Sequence, residues 1–164
     1  EGEIIRRRPE FEMDDRMLLH HIDLKRGVVH IDGKDYTLKD TNWPTLDPKD
    51  PYRLSIEEED LIRKILHSFE SSEKMKKHMR CFFRHGGMYQ VCNSNLLFHA
   101  SIPMNPDGTF KSVRILGQDY KGRALLDRVD QLIRTAYFKT GEQEEVEYAH
   151  DYIWYLWGLS LIHI

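Results

Sequence analysis

Apolar positions follow the 3.6-residue period of an amphipathic helix in five stretches of the chain. These stretches are residues 14–22, 56–69, 72–85, 125–137 and 146–157. Ser55 and Glu58 have the spacing of a capping box, which predicts where the second helix begins. Glycine commonly ends helices, so Gly86-Gly87 and Gly141 are expected to end the third and fourth. The second and third helices are expected to form a helical hairpin.

Short apolar runs on either side of turn residues predict antiparallel strands between these helices. The clearest pair, residues 28–31 and 34–38, flanks Asp32-Gly33, a dipeptide that readily adopts positive φ angles. A second pair, residues 88–92 and 96–100, flanks Asn93-Ser94-Asn95. Residues 110–116 predict a further strand or an extended arm, and the three prolines within 41–51 predict a loop. The mixture predicts an α+β (α/β) fold.

Composition then excludes several classes of protein. The chain has 164 residues, of which 40% are hydrophobic and 31% charged, which is typical of a globular domain and not of a disordered or fibrous chain. Its mean hydropathy is −0.60, and no apolar run is long enough to span a membrane. The net charge of −3 argues against a dedicated nucleic-acid binder. Two cysteines cannot form a disulfide framework, so a reducing, cytoplasmic compartment is expected.

The sequence contains no phosphate-binding glycine loop, zinc-protease or serine-hydrolase motif. Among nine histidines, His99 differs because it follows the apolar run 96–98 and precedes small residues. A buried strand holds its last side chain rigidly at a sheet edge, where metal-binding groups often lie. On this pattern alone, His99 is interpreted either as a metal ligand or as a hydrogen-bonded core histidine.

Four other clusters have a structural interpretation beside a functional one. Arginines 6–8 and the basic residues 74–80 could bind anions, but such runs are usually solvated. Acidic residues 57–60 are expected in the first turn of a helix because of the helix dipole. Residues 154–157 could stack a ligand, but aromatic residues at helical spacing are more often core.

Several segments together carry a resemblance to a known family. They are residues 4–11, the Asp-Gly hairpin, 72–74 with 77–79, 95–99 with 102–103, 122–127 and 154–157. In this order and spacing they resemble the class III fructose-1,6-bisphosphatases, bacterial enzymes of the calcineurin-like metallophosphoesterase superfamily. His99 stands where that family has the counterpart of a metal-ligand histidine, although Ala100 replaces the usual glycine.

The resemblance implies metal-assisted hydrolysis of fructose 1,6-bisphosphate to fructose 6-phosphate and phosphate in gluconeogenesis. Two divalent ions, typically Mn, would activate a water and offset charge on the phosphoryl oxygens. His99 would bind one of them, and no other catalytic residue is assigned. The superfamily's remaining ligand motifs, D-x-H, G-D-x-x-D-R, G-N-H and Gly-His, are absent from this sequence.

The chain is therefore expected to be an internal piece of a longer enzyme, acting with the remaining parts of its own full-length chain. Residues 1–87 are interpreted as an accessory insertion of hairpin and helices, and 88–158 as part of the metallophosphoesterase sandwich. Residues 159–164 match no family pattern and are interpreted as a non-native tail. Neither a nucleic acid nor a membrane is expected as a partner, and a homo-oligomer is left open.

Two alternatives stay open. A stand-alone, non-catalytic interaction module would explain the missing ligands and use the helices to bind a protein. An anion or RNA binder would use the basic runs, although the net charge of −3 counts against it.

Overall fold

The computed structural model describes residues 2–98 and 101–158 of the chain. Within them, five α-helices and small antiparallel sheets make a mixed α+β architecture, which confirms the predicted class at that level. Contacts divide the chain into two compact units, Glu1–Ser72 and Glu73–Ile164, each described by itself below. No described helix is both long enough and apolar enough to cross a bilayer.

The first unit combines a small sheet with two helices. Its elements are α1 (Gly2–Arg7), β1 (Ile22–Asp23), β2 (Val28–Ile31), β3 (Lys34–Thr37) and α2 (Ile56–Glu70). The helix predicted over residues 14–22 is wrong, because two 3₁₀ turns, Asp14–Arg16 and Leu18–His21, occupy that stretch. Short helices are only marginally stable unless they pack well, and 3₁₀ turns commonly take their place.

The predicted Asp-Gly hairpin is confirmed. Asp32 and Gly33 have φ angles of 49° and 75°, and they join β2 to β3 in antiparallel register. Asp35 on β3 contacts His30 Nδ1 at 2.9 Å and accepts a hydrogen bond of 2.6 Å from Arg26 Nη2. These two contacts hold the pKa of Asp35 below its ordinary value, and the hydrogen bond with His30 contributes more than that with Arg26. The histidine thus belongs to a surface ion cluster.

The capping box at the start of α2 is also confirmed. Ser55 Oγ accepts a hydrogen bond from the Glu58 amide at 3.2 Å, and Glu58 Oε2 accepts one from the Ser55 amide at 2.7 Å. Thr45 Oγ1 donates to the other carboxylate oxygen at 2.7 Å. Both hydrogen bonds to its carboxylate lower the pKa of Glu58, and the one from the Ser55 backbone contributes more than the one from Thr45.

The second unit contains three helices and two hairpins. Its elements are α3 (Glu73–His85), β4 (Tyr89–Cys92), β5 (Asn95–Phe98), β6 (Val113–Ile115), β7 (Gln118–Tyr120), α4 (Gly122–Phe138) and α5 (Gln143–Gly158). The prediction of one strand or arm over residues 110–116 missed the partner strand β7. The connecting turn is Leu116-Gly117, with φ angles of 47° and 79°. Glycine suits such a turn, but leucine seldom adopts a positive φ, so the turn lacks the Asn-Gly or Asp-Gly signature of a hairpin.

Helices α4 and α5 form the apolar core of this unit. Along α4 the buried residues recur every three or four positions, and Leu132 is fully buried. On α5, Ala149 is fully buried, and His150 Nε2 lies 3.0 Å from the Ala136 carbonyl oxygen. The helix end predicted at Gly141 is two residues late, because Lys139 already has the left-handed conformation at φ 52°.

The C-terminus of α3 is capped by Arg134 of α4. Its guanidinium donates hydrogen bonds to the Phe83 carbonyl and, at 2.7 Å, to the Gly86 carbonyl. Asp130, one turn earlier on α4, accepts from Arg134 Nε at 2.8 Å and orients the guanidinium. Residue 86 suits glycine, since a Cβ there would lie 2.6 Å from the Phe82 carbonyl oxygen. The cap joins the end of α3 to α4.

Replacing Arg134 with methionine should destabilise the second unit by about 2 kcal/mol, because carbonyls at the end of α3 lose a charged donor. Arg114→Met is the matched control, since that guanidinium is exposed and lies 3.9 Å from Asp119. Urea denaturation followed by circular dichroism measures both losses. Equal losses in the two variants would contradict the role of the cap.

Glu58→Gln should make the start of α2 insensitive to acid. A carboxylate with a lowered folded-state pKa stabilises the fold above its ordinary value of 4.5, and the stabilisation is lost as the pH falls through the lowered value. The Ser55 amide resonance should therefore titrate below pH 4.5 in the native chain and stay flat in the variant. Glu57→Gln, which leaves the capping box intact, should keep the titration.

Candidate functional site

His99, the residue that the sequence assigns to a metal, lies outside the described residues. The structure defines the strand that immediately precedes it in the sequence. β5 pairs with β4 so that Tyr89 faces Phe98 and Cys92 faces Asn95. Asn93 and Ser94 form the connecting turn with φ angles of 49° and 62°, so the predicted hairpin is confirmed.

The expectation that this strand is buried is wrong for the chain as described. Leu96, Leu97 and Phe98 are all exposed, between 44% and 54%. Because alternate residues of a strand point to opposite faces, both faces of β5 carry large apolar side chains. Strands buried on both faces have such continuous apolar runs, whereas a strand with one solvated face alternates. The composition of β5 is that of an interior strand, yet among the described residues only β4 pairs with it.

The end of this hairpin that lies away from its turn is held against α4. Tyr89 Oη donates a hydrogen bond of 2.9 Å to Asp127 Oδ1. Arg123 lies one turn earlier on α4, with its guanidinium carbon 5.8 Å from the centre of the Tyr89 ring and its Nε 3.6 Å from Asp127 Oδ2. Tyr89 pairs with Phe98, the residue just before His99 in the sequence. This end of the hairpin is therefore held on α4, whose opposite face is buried.

An open groove of about 580 Å³ lies between the end of α3 and this hairpin. Residues 85–90 line one side, and Leu97 and Phe98 line another. The negative end of the α3 dipole points toward this region and disfavours a bound phosphate, although Arg134 offsets part of that charge. The described lining contains apolar side chains, the polar side chains of Tyr89 and Gln90, and one histidine, His85, but no carboxylate.

The part of the chain that the structure describes contains no group of three or more His, Cys, Asp or Glu side chains that could hold a metal ion. Two-metal sites need several carboxylate, amide and imidazole ligands around each pair of ions. The described residues therefore do not fit a complete metal centre, and no catalytic step is derived from them.

The basic run on α3 forms one face of the helix. Lys74, Lys77, Arg80 and Arg84 are all exposed, and Lys76 Nζ pairs with Glu73 at 2.9 Å. The opposite face carries Met79 and Phe83, which are half-buried, and the Phe83 ring contacts the tilted ring of Tyr137 with ring centres 4.3 Å apart. This distribution supports the interpretation as a solvated face.

The acidic run at the start of α2 has structural contacts. Glu58 belongs to the capping box, and Asp60 pairs with Arg63 and Lys64 at 3.3 Å and 2.9 Å. The aromatic cluster on α5 is only partly core, because Trp154 is half-buried while Trp157 is 85% exposed. The arginine run falls at the end of α1, where Arg6 and Arg7 are exposed.

Sequence reasoning missed the residues that tie α3 and the hairpin to α4. Arg123–Asp127 and Asp130–Arg134 are separated by four residues, the spacing of ion pairs along a helix. That spacing could have indicated two pairs on one helix face. Their contacts with Tyr89 and with the end of α3 span 38 residues or more and have no local signal.

The sequence of the chain is similar to that of a known family of proteins. A family model described as Firmicute fructose-1,6-bisphosphatase matches residues 1–161. Proteins named fructose-1,6-bisphosphatase class 3 match 96% of the chain, with 62% identity in Bacteroides fragilis and 61% in Bacteroides thetaiotaomicron. The protein of that name from Clostridioides difficile is 49% identical over 157 residues. No solved structure matches the chain.

The match covers only part of each relative. The chain spans about a quarter, 24%, of the length of these three relatives. Most of the polypeptide in each related protein therefore has no counterpart among these 164 residues.

Tyr89→Phe should loosen the hairpin while keeping the ring beneath Arg123. Loss of one hydrogen bond to a carboxylate should lower the free energy of local opening by about 1 kcal/mol, so the β4 and β5 amides should exchange with deuterium several-fold faster. Tyr120→Phe is the control, because that hydroxyl bonds only locally to Gln118 at 2.7 Å. Unchanged exchange in the Tyr89 variant would show that the Asp127 contact does not hold the hairpin.

Proposed function

The chain belongs to the Firmicute fructose-1,6-bisphosphatase family, and we propose that it is an internal part of a class 3 fructose-1,6-bisphosphatase. The observation that carries this proposal is the identity of about 60% over nearly the whole chain with proteins of that name. The complete enzyme would hydrolyse the 1-phosphate of fructose 1,6-bisphosphate, giving fructose 6-phosphate and phosphate, in the cytoplasm. The remaining parts of its own chain would be its first partner, and a homo-oligomer is a further expectation.

Within that enzyme, β5 would be an interior strand of a metallophosphoesterase sandwich. Its apolar side chains on both faces and the absence of a second neighbouring strand in the described residues support this placement. Residues 88–158 would then belong to the catalytic core and 1–87 to an accessory region. The tail interpretation of residues 159–164 stays a prediction, since they lie outside the described residues.

His99 would supply one ligand to one of two Mn ions. A neutral imidazole is a suitable donor for such an ion, and a paired-metal centre supplies an activated water and neutralises phosphoryl charge. What this chain contributes is the strand that precedes His99 and the Tyr89–Asp127 contact that holds that strand. The other ligands must come from parts of the full-length chain beyond these residues.

The stand-alone interaction module is the second candidate. The observation that favours it is the apolar surface of α2, none of whose residues is buried. Extending the gene through both flanks separates the two proposals. The missing ligand motifs upstream and downstream would support the phosphatase, whereas a start and a stop codon close to this segment would support the module.

His99→Ala in the full-length protein should reduce hydrolysis of fructose 1,6-bisphosphate at least about 100-fold and lower the bound Mn below two ions per chain. His30→Ala is the matched control, because that histidine lies in the surface cluster with Asp35. Phosphate release and metal analysis measure the two effects. Full activity and full metal content in the His99 variant would contradict the assignment.

The 164-residue chain alone should not hydrolyse fructose 1,6-bisphosphate with Mn present, because its described residues hold no group of three metal ligands. A phosphate-release assay on the purified chain tests this. Turnover that copurifies with the chain and disappears with a chelator would overturn the proposed division of the site.

A further inference from the structure

Residues 122–127, which carry part of the family resemblance, form the first two turns of α4. Leu125 and Leu126 belong to the buried core of the second unit, so this end of the helix is firmly held. The other residues of the stretch contact two parts of the chain. One part ends just before His99 in the sequence, and the other begins four residues after it.

The upstream contact is made by the β4–β5 hairpin. Tyr89 pairs with Phe98, and its Oη donates a hydrogen bond of 2.9 Å to Asp127. Arg123 lies beside both groups, with its guanidinium carbon 5.8 Å from the centre of the Tyr89 ring and its Nε 3.6 Å from Asp127 Oδ2. Hydrogen bonds to an ionised acceptor are stronger than those between neutral groups. The residue that precedes position 99 is therefore paired with one that is bonded to α4.

The downstream contact is made by a small hairpin over residues 103–111. The Lys111 amide donates a hydrogen bond of 3.0 Å to the Pro103 carbonyl, and Met104 forms an antiparallel bridge with Phe110. These contacts connect the two arms of the segment, which is called the downstream hairpin. A group that holds Phe110 in place therefore also holds the arm that follows position 99.

The Phe110 ring lies close against the backbone of Gly122, the first residue of α4. A Cβ at residue 122 would be 3.0, 3.2 and 3.3 Å from three atoms of that ring. Gly122 also has a φ of 53°, in the left-handed region that residues with a Cβ disfavour. Glycine is thus needed both for the backbone conformation and for the close approach of the ring. The downstream hairpin is thereby attached to the start of α4.

Both attachments are made to the same short stretch of α4, and the path between them is short. Pro103 follows Phe98 by five residues, which span at most about 18 Å when fully extended. We propose that residues 122–127, the α4 platform, position residue 99 by holding the chain on both sides of it. Gly122 and Asp127 are the positioning residues. The platform rests on the proposed function only in giving His99 a role in hydrolysis, since the two attachments are contacts within the second unit.

Hydrogen exchange of the full-length protein tests the two attachments. Asp127→Ala removes the acceptor of the Tyr89 hydrogen bond, and Phe110→Ala removes the ring that lies on Gly122. Each should speed deuterium exchange of the amides of residues 99–102 at least about three-fold, because local opening becomes easier. The double variant should exceed either single variant. The readout is the mass of a peptide covering these residues.

Matched controls remove similar groups away from the platform. Asp119→Ala removes a carboxylate that pairs across the β6–β7 hairpin with Arg114 at 3.9 Å. Phe138→Ala removes an aromatic ring at the other end of α4. Both should leave exchange of residues 99–102 unchanged. Exchange within α5 reports on the fold, and Phe110→Leu replaces the alanine variant if that variant also speeds exchange in α5.

Hydrolysis of fructose 1,6-bisphosphate by the same variants separates positioning from a general loss of structure. A displaced reacting group slows the chemical step more than it weakens binding. Asp127→Ala and Phe110→Ala should therefore lower kcat at least about 10-fold and change KM less than about two-fold. Asp127→Asn should restore most of the rate, because its amide oxygen still accepts the hydrogen bond from Tyr89.

Two outcomes would overturn the platform. Unchanged exchange of residues 99–102 in both alanine variants would show that the attachments do not hold this part of the chain. Faster exchange with an unchanged kcat in an active enzyme would show that they do not position a functional residue. A parent protein without hydrolytic activity, whose variants still exchange faster at residues 99–102, would contradict the phosphatase proposal alone and support the two attachments.

Discussion

In the second unit, the position of α3 on α4 depends on the hydrogen bonds that the Arg134 guanidinium donates to the end of α3. The last carbonyls of a helix have no partners within the helix and carry the negative end of its dipole. A guanidinium, planar and always charged, can donate to several of them together. Here it bonds to the carbonyls of Phe83 and Gly86 while Asp130 holds it from its own helix. The end of α3 is thereby fixed against α4, and the chain enters β4 three residues after Gly86.

The same face of α4 then receives the hairpin. Asp127, Asp130 and Arg134 are three and four residues apart, so they lie along one side of the helix. Asp127 accepts the hydrogen bond from Tyr89, which belongs to the last residue pair of the hairpin. The opposite side of α4 is buried, with Leu125, Val129 and Leu132 among its core residues. One helix therefore combines a packed side with a polar side that positions two neighbouring elements.

Predictions from the sequence succeeded where the signal is local. The Asp32-Gly33 and Asn93-Ser94 turns adopt positive φ angles that these residue types tolerate, and the Ser55 capping box needs only four consecutive residues. The predictions failed where a residue adopts a backbone conformation that is unusual for its type, or where a contact between residues distant in sequence determines the local structure. Leu116 and Lys139 adopt left-handed conformations, and the Arg134 cap joins residues 48 or more positions apart. For the candidate site, spacing alone left His99 ambiguous between a ligand and a core residue, and only the family resemblance favoured the ligand.

The local sequence pattern and the described structure disagree most about the burial of β5 and α2. An apolar strand such as residues 95–98 and an amphipathic helix such as residues 56–70 both encode burial, yet neither is buried here. Local sequence specifies which side chains must be covered, but it does not specify what covers them. In the proposed enzyme, the remaining polypeptide would be available to complete the surface of β5, since the related proteins are about four times as long. On this argument the Tyr89–Asp127 contact holds the hairpin from within the chain, and in the proposed enzyme the ligands that act together with His99 would come from the remaining polypeptide.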